Sequence, residues 1–159
     1  METNKPIKRQ KEMVPLSKEH HEGLLFAWKI RQGLRNGTGH PLIAEYVQWF
    51  WKAELQEHFR KEEEVLVPHL PPDNSLVLQM LEEHQQLEAL VRICEMVADA
   101  DIFEQLAEGI NNHIRFEERI LFPFAEKFIS PDVMKEIEGD LATTKPHSGW
   151  EQEFWLSKK

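Results

Sequence analysis

Cysteine is almost absent: Cys94 is the only one in 159 residues, so no internal disulfide can form. Its neighbours Val91, Met96 and Val97 are apolar, which marks it as a packed thiol rather than a reactive one. No apolar run approaches the roughly 18 residues of a membrane helix, so no span is expected. The opening METNKPIKRQKEM lacks the apolar stretch of a secretory signal, and the expected location is cytoplasmic. Positive charge is short as well. Nineteen Lys and Arg face 28 Asp and Glu, a net charge of -9, and that excludes a phosphate-backbone partner. The basic stretch KPIKRQK (5–11) reads as a solvated tail. HExxH, CxxC, GxSxG and the phosphate-binding loop are all missing.

What is present is enough for a folded core. Hydrophobic residues make up 41% and charged residues 30%, the balance of one globular domain rather than of a disordered chain. Alternating apolar and polar runs are lacking, so strands are not expected. Breaks fall at NGTGHP (36–41), PHLPPDN (68–74), ADAD (98–101) and SPD (130–132). Asp99 or Asp101 is a candidate N-cap. Ser130 is another, with Pro131 in the first helical turn.

Between the breaks lie four stretches with apolar residues at helical spacing: 16–35, 42–67, 74–98 and 102–129. Short connections predict an all-α, antiparallel up-down-up-down four-helix bundle. A short extra helix is expected over 131–139. The tail GWEQEFWL (149–156) is too aromatic to hang free and is expected to pack on the bundle. The expected division is an N-terminal extension (1–15), the bundle (16–129), and a short helix with tail (130–159).

Histidine is plentiful, eight in all, and four of them sit in a repeat. HFRKEEEVLVP begins at His58 and HIRFEERILFP at His113, a constant offset of 55 (113 minus 58). His58 thus matches His113, Glu62 matches Glu117, Glu63 matches Glu118 and Pro68 matches Pro123. A weaker repeat relates LSKEH, ending at His20, to MLEEH, ending at His84. A His and a Glu four residues apart share one helix face, with Cβ atoms about 5–6 Å apart. Such a pair can reach one ion, or two neighbouring ions. Neutral imidazole and ionised carboxylate suit iron, manganese or zinc.

Heights along the helices agree for most of these groups. At about 1.5 Å per residue, His58, Glu62, His84, His113 and Glu117 fall into one layer. His20 lies nearer the start of its helix, which must begin further into the bundle, leaving the first fifteen residues to cover the gap. On the helical wheel His20 shares the stripe of Leu16, Ala27, Ile30 and Leu34. His21, about 100° away, is the alternative. Glu88, one turn after His84, is either an extra ligand or a surface glutamate. Glu54 is a weaker candidate for a carboxylate bonded to a ligand imidazole. Glu63, Glu64 and Glu118 are expected to face solvent. His40, His69 and His147 lie in turns or loops and are left out. A lone HxxxE is ordinarily a solvated pair, but two copies in register with inward histidines on both other helices point to a metal site.

The segment EHH, HFRKEEEVLVP, EEHQQLEAL and HIRFEERILFP together resemble the hemerythrin-like, or HHE cation-binding, family over about residues 16–128. The resemblance implies a non-heme di-iron centre. Its terminal ligands would be His20 (or His21), His58, His84 and His113, with Glu62 and Glu117 bridging. Oxygen-carrying hemerythrins place a further histidine where this chain has Glu88, and their bridging acid corresponds to Glu118 rather than Glu117. The four-His, two-Glu set is equally similar to the di-iron domain of proteins that repair iron-sulfur centres. The expected function is therefore binding or sensing of O2 or NO, or iron handling. The alternatives are a di-iron enzyme acting on peroxide or NO, and a non-catalytic bundle with zinc or no metal that engages a protein partner.

Overall fold

The computed structural model describes residues 8–156, so Lys5, Pro6 and Ile7 of the basic stretch lie outside the described residues. Five helices run through the described residues, and no strand occurs among them. Helix α1 (Val14–Arg35) starts two residues before the expected position, with Pro15 in its first turn, where a missing N–H costs nothing. Helix α2 (residues 40–69) also begins early, at His40 with Pro41 in its first turn. Helix α3 is Ser75–Met96, capped by the Asn74 side chain accepting from the Leu76 N–H at 2.8 Å. Helix α4 (residues 100–128) is capped by Asp99, whose carboxylate accepts from the N–H groups of Asp101 and Ile102. Helix α5 (Pro131–Ala142) is capped by Ser130 and runs three residues beyond its expected end.

Helices α2 and α4 are not uniform. Glu62–Leu66 and Glu117–Leu121 are π-helical, as is Trp51–Leu55. The N–H of Val67 reaches back five residues to the Glu62 carbonyl, and that of Phe122 to the Glu117 carbonyl. Val67 and Phe122 each precede a proline. A proline ring collides with the carbonyl four residues before it, here that of Glu64 or Arg119. Widening the turn by one residue moves that carbonyl aside. The repeat thus carries its own local distortion, which starts at the glutamate.

Helix α1 packs on α4, α4 on α3, α3 on α2 and α2 on α1, closing a ring of four; α5 lies against α1 and α2. The hydrophobic core is in two parts. One contains Phe26, Ile30, Phe50, Val91, Phe103 and Ile110. The other contains Leu16, Leu66, Met80, Leu121, Phe122 and Ile137. Each of the four long helices passes from one part to the other, and a buried histidine marks the crossing.

The tail is fastened to α1 and α2. The Asn36 amide donates to the carbonyls of Trp155 and Leu156 at 2.9 and 3.0 Å. Lys29 Nζ lies 4.1 Å from the ring centre of Trp155, a cation–π contact. Gly33 leaves room for Phe154: a Cβ added there would stand 2.7 Å from its ring. Part of the basic N-terminal stretch is not a solvated tail. The Arg9 guanidinium, 6% exposed, pairs with Glu118 at 3.2 Å and Glu126 at 2.9 Å. Gly33→Ala is expected to displace Phe154 and loosen the tail by about 1–3 kcal/mol, leaving the helices folded. Faster proteolysis within residues 149–156, with an unchanged helical circular-dichroism signal, would be the result.

Candidate metal centre

Between the two core halves lies a buried polar layer. His20, His58, His84 and His113 are 2–4% exposed, and Glu62 and Glu117 are fully buried. The helix period puts each histidine on the inward face, and the π turns begin at the two glutamates. Each carboxylate splits its oxygens between two histidine pairs. Glu117 Oε1 is 2.7 Å from His20 Nε2 and 3.9 Å from His58 Nε2. Its Oε2 is 3.3 Å from His113 Nε2 and 3.7 Å from His84 Nε2. Glu62 Oε2 is 3.3 Å from His58 Nε2 and 3.9 Å from His20 Nε2, while its Oε1 is 2.9 Å from His84 Nε2.

Two overlapping donor sets result: His20, His58, Glu62 and Glu117, and Glu62, His84, His113 and Glu117. In each set the donor atoms lie within 4.8 Å of one another. The residues fit an ion. His58 Nε2, Glu62 Oε2, His113 Nε2 and Glu117 Oε2 are buried with no hydrogen-bond partner, a costly arrangement unless something else binds them. Nitrogen and oxygen donors of this kind suit iron, manganese or zinc.

The outer nitrogen of every histidine meets a carboxylate. His20 Nδ1 is 2.6 Å from Glu118, His58 Nδ1 2.8 Å from Glu19, His84 Nδ1 2.6 Å from Glu63 and His113 Nδ1 2.7 Å from Glu83. A carboxylate only accepts, so each Nδ1 carries the proton and each Nε2 faces the centre. Glu63 and Glu118 are therefore not simply solvent-facing, as expected from sequence; their chains curl back to the imidazoles. Glu19 and Glu83 were missed. The signal was present as the Glu-His dipeptide repeated at 19–20 and 83–84.

Other candidates do not join the cluster. His21 is exposed, and Glu88 points outward to Arg92 at 2.6 Å. Glu54 pairs with His147 at 2.7 Å rather than with one of the four imidazoles. Glu64 is exposed, as expected. His40 opens α2 rather than lying in a turn, its Nδ1 3.3 Å from the Ala98 carbonyl.

Aromatic rings close the layer. Phe59 stacks on His84 with ring centres 3.8 Å apart, and Phe122 stacks on His20 at 5.1 Å. Beside His20 and His58 lies a cavity of about 20 Å³, lined by Gly23, Phe50, Leu55, Ile110 and Ile114 among others. That is room for about one water-sized molecule.

A family model described as the hemerythrin HHE cation binding domain matches residues 12–125. The match covers most of the chain, and the chain belongs to that family. Comparison with curated proteins and with solved structures gave no match. No helix among the described residues is long and apolar enough to cross a membrane.

Without an ion, the site fills with protons. Burial opposes a charged His84, but the surrounding carboxylates of Glu117, Glu62 and Glu63 outweigh it and raise its pKa to about 11. Burial likewise opposes a charged His113, and Glu117 outweighs it, giving about 9. His20 and His58 are raised for the same reason, with Glu117 and Glu62 the main partners. The ordinary histidine value is 6.5. A raised value stabilises the fold fully below that pH, and the gain is lost as pH climbs through the folded values. Chelator-treated protein is thus expected to lose stability to urea between neutral pH and about pH 11. Metal uptake frees the Nε2 atoms, so it should release protons and tighten as pH rises, measurable by calorimetry in buffers of different ionisation enthalpy.

Proposed function

We propose that the protein holds two iron ions and uses them to bind or sense a small diatomic molecule, O2 or NO. His20 and His58 would hold one ion, His84 and His113 the other, and Glu62 and Glu117 would bridge both. The observation that carries this reading is the division of each buried carboxylate between two histidine pairs. A bridge of that kind needs a second ion on its far side. When bound, iron supplies redox activity and open coordination for the diatomic ligand.

The chain's own residues do the rest. Glu118, Glu19, Glu63 and Glu83 hold the imidazole tautomers so that Nε2 faces inward. Phe59 and Phe122 exclude water from the layer. The cavity at Gly23 and Ile114 has the size of a diatomic guest and an apolar wall that favours it over water. With Glu88 paired to Arg92, the fifth histidine position of the oxygen carriers has no inward counterpart. We therefore propose sensing or capture rather than bulk oxygen transport.

The same reading takes the fold as an antiparallel up-down-up-down bundle. Support comes from the order in which each helix meets the two core halves: Leu16 before Phe26, Phe50 before Leu66, Met80 before Val91, and Ile110 before Leu121. Among the described residues, 16–129 would be the bundle, 8–15 the extension before it, and 130–156 a helix and tail packed against it.

Anaerobically purified protein is expected to carry two irons per chain and a ligand-to-iron charge-transfer band. The band should shift with O2 or NO and revert on purging. His58→Ala and Glu117→Ala should each lose at least one iron; retention of both irons by both variants would defeat the assignment. A Cβ at Gly23 would stand 2.9 Å from Ile114 Cδ1, so Gly23→Ala narrows the cavity. That variant should keep its iron and respond to the ligand several-fold more slowly, in line with the tight packing of such interiors. Steady consumption of peroxide or NO would instead favour the enzyme reading. Zinc with no spectral response would favour the interaction module.

A further inference from the structure

The repeat makes the two halves of the centre near copies. Glu19 to His58 corresponds to Glu83 to His113, and His20 to Glu118 corresponds to His84 to Glu63. The copies differ in what stands behind the outer carboxylates. Behind Glu19 is Lys61, a lysine with no exposure, its Nζ 2.6 Å from Glu19 Oε2. The same ammonium donates to the carbonyls of Leu141 at 2.9 Å and Thr143 at 3.0 Å, which hold it in place. Behind Glu118 are the Arg9 guanidinium at 3.2 Å and the Ser17 hydroxyl at 2.7 Å. Both outer carboxylates of the His20–His58 half are therefore neutralised by a cation.

The other half has no such cation among the described residues. The position corresponding to Lys61 is Phe116 (61 plus 55), which is apolar. Glu83 accepts only from the neutral Gln79 amide, at 2.8 Å, apart from His113. Glu63 has His84 as its partner and is 43% exposed. Solvent screens part of the Glu63 charge, so the less exposed Glu83, at 24%, counts for more. Glu63 and His84 also line a groove of about 670 Å³ that opens to solvent, with Trp51 and Phe59 in its wall. Lys52, Arg60 and Lys145 line it too, none of them in an ion pair with Glu63.

We infer that the two metal positions are inequivalent: the His84–His113 half, backed by two carboxylates without cations and reached from the groove, is the tighter position and fills first. The His20–His58 half, whose outer carboxylates are already satisfied, fills second and exchanges more readily. An imidazole hydrogen-bonded to an uncompensated carboxylate is a stronger base and a better metal donor. The uncompensated charge also lowers the energy of a nearby dication, whereas Lys61 and Arg9 raise it. The inference rests on the two-ion centre proposed above.

The test uses cobalt(II) as the metal, added to the chelator-treated full chain. Titration should show two steps, the first tighter by about tenfold or more. At one equivalent, anomalous diffraction should place cobalt between His84 and His113. Glu83→Gln keeps the hydrogen-bond acceptor but removes the charge. It should shrink the gap between the steps, whereas a purely structural role for Glu83 would leave the gap unchanged. Two equal steps, an unchanged gap in Glu83→Gln, or first occupancy at His20 and His58 would overturn the inference while leaving the two-ion centre standing. Binding of no cobalt, or of a single ion, would overturn the centre itself.

Discussion

Two carboxylates, Glu62 and Glu117, sit with no solvent exposure in the middle of a helical core. Isolated charges there are very costly, and two of like sign in one layer are worse. Much of the surrounding arrangement answers that constraint. Four imidazoles turn their Nε2 atoms toward the pair, and the charge of His113, with His20 and His58 beside it, holds Glu117 well below the ordinary carboxylate range although burial pushes the other way. In the metal-free molecule the balancing charge is protonic. In the loaded molecule, on the reading proposed here, it is metallic.

The same constraint explains the layout of the core. A polar layer of this size cannot share space with packed apolar side chains, so the hydrophobic interior is split into two clusters with the histidines at the crossing. Each imidazole then needs a partner on its outer side, and the four outer glutamates supply it. These carboxylates sit near the edge of the molecule, where water, Lys61 or Arg9 can meet the charge. Polarity thus falls off through ordered shells rather than at a single boundary, and the shells are unequal on the two sides. Lys61 extends one of them as far as the end of α5 through the Leu141 carbonyl, 80 residues away in sequence.

Much of this was legible in the sequence, and the reasons are specific. The breaks at Pro and Gly located the helices to within a few residues. The HxxxE repeat brought His58, Glu62, His113 and Glu117 into view because i and i+4 share a face in any helix. His20 was favoured over His21 by the apolar stripe and by the match of LSKEH to MLEEH. The outer carboxylates were harder. Glu63 and Glu118 follow inward glutamates and so read as surface residues; long side chains and a π turn let them reach imidazoles on other helices. The burial of Lys61 was invisible because two of its partners are backbone carbonyls far along the chain. Arg9 was misread for a similar reason, since its partners Glu118 and Glu126 belong to α4.

The central claim is that one pair of buried carboxylates serves two ions at once. X-ray absorption at the iron edge of the loaded full chain tests it most directly. The account predicts an iron–iron scattering shell alongside mixed nitrogen and oxygen ligands, with the iron–iron shell lost in Glu62→Ala or Glu117→Ala. A fully loaded protein whose spectrum shows isolated irons with no metal neighbour would contradict it.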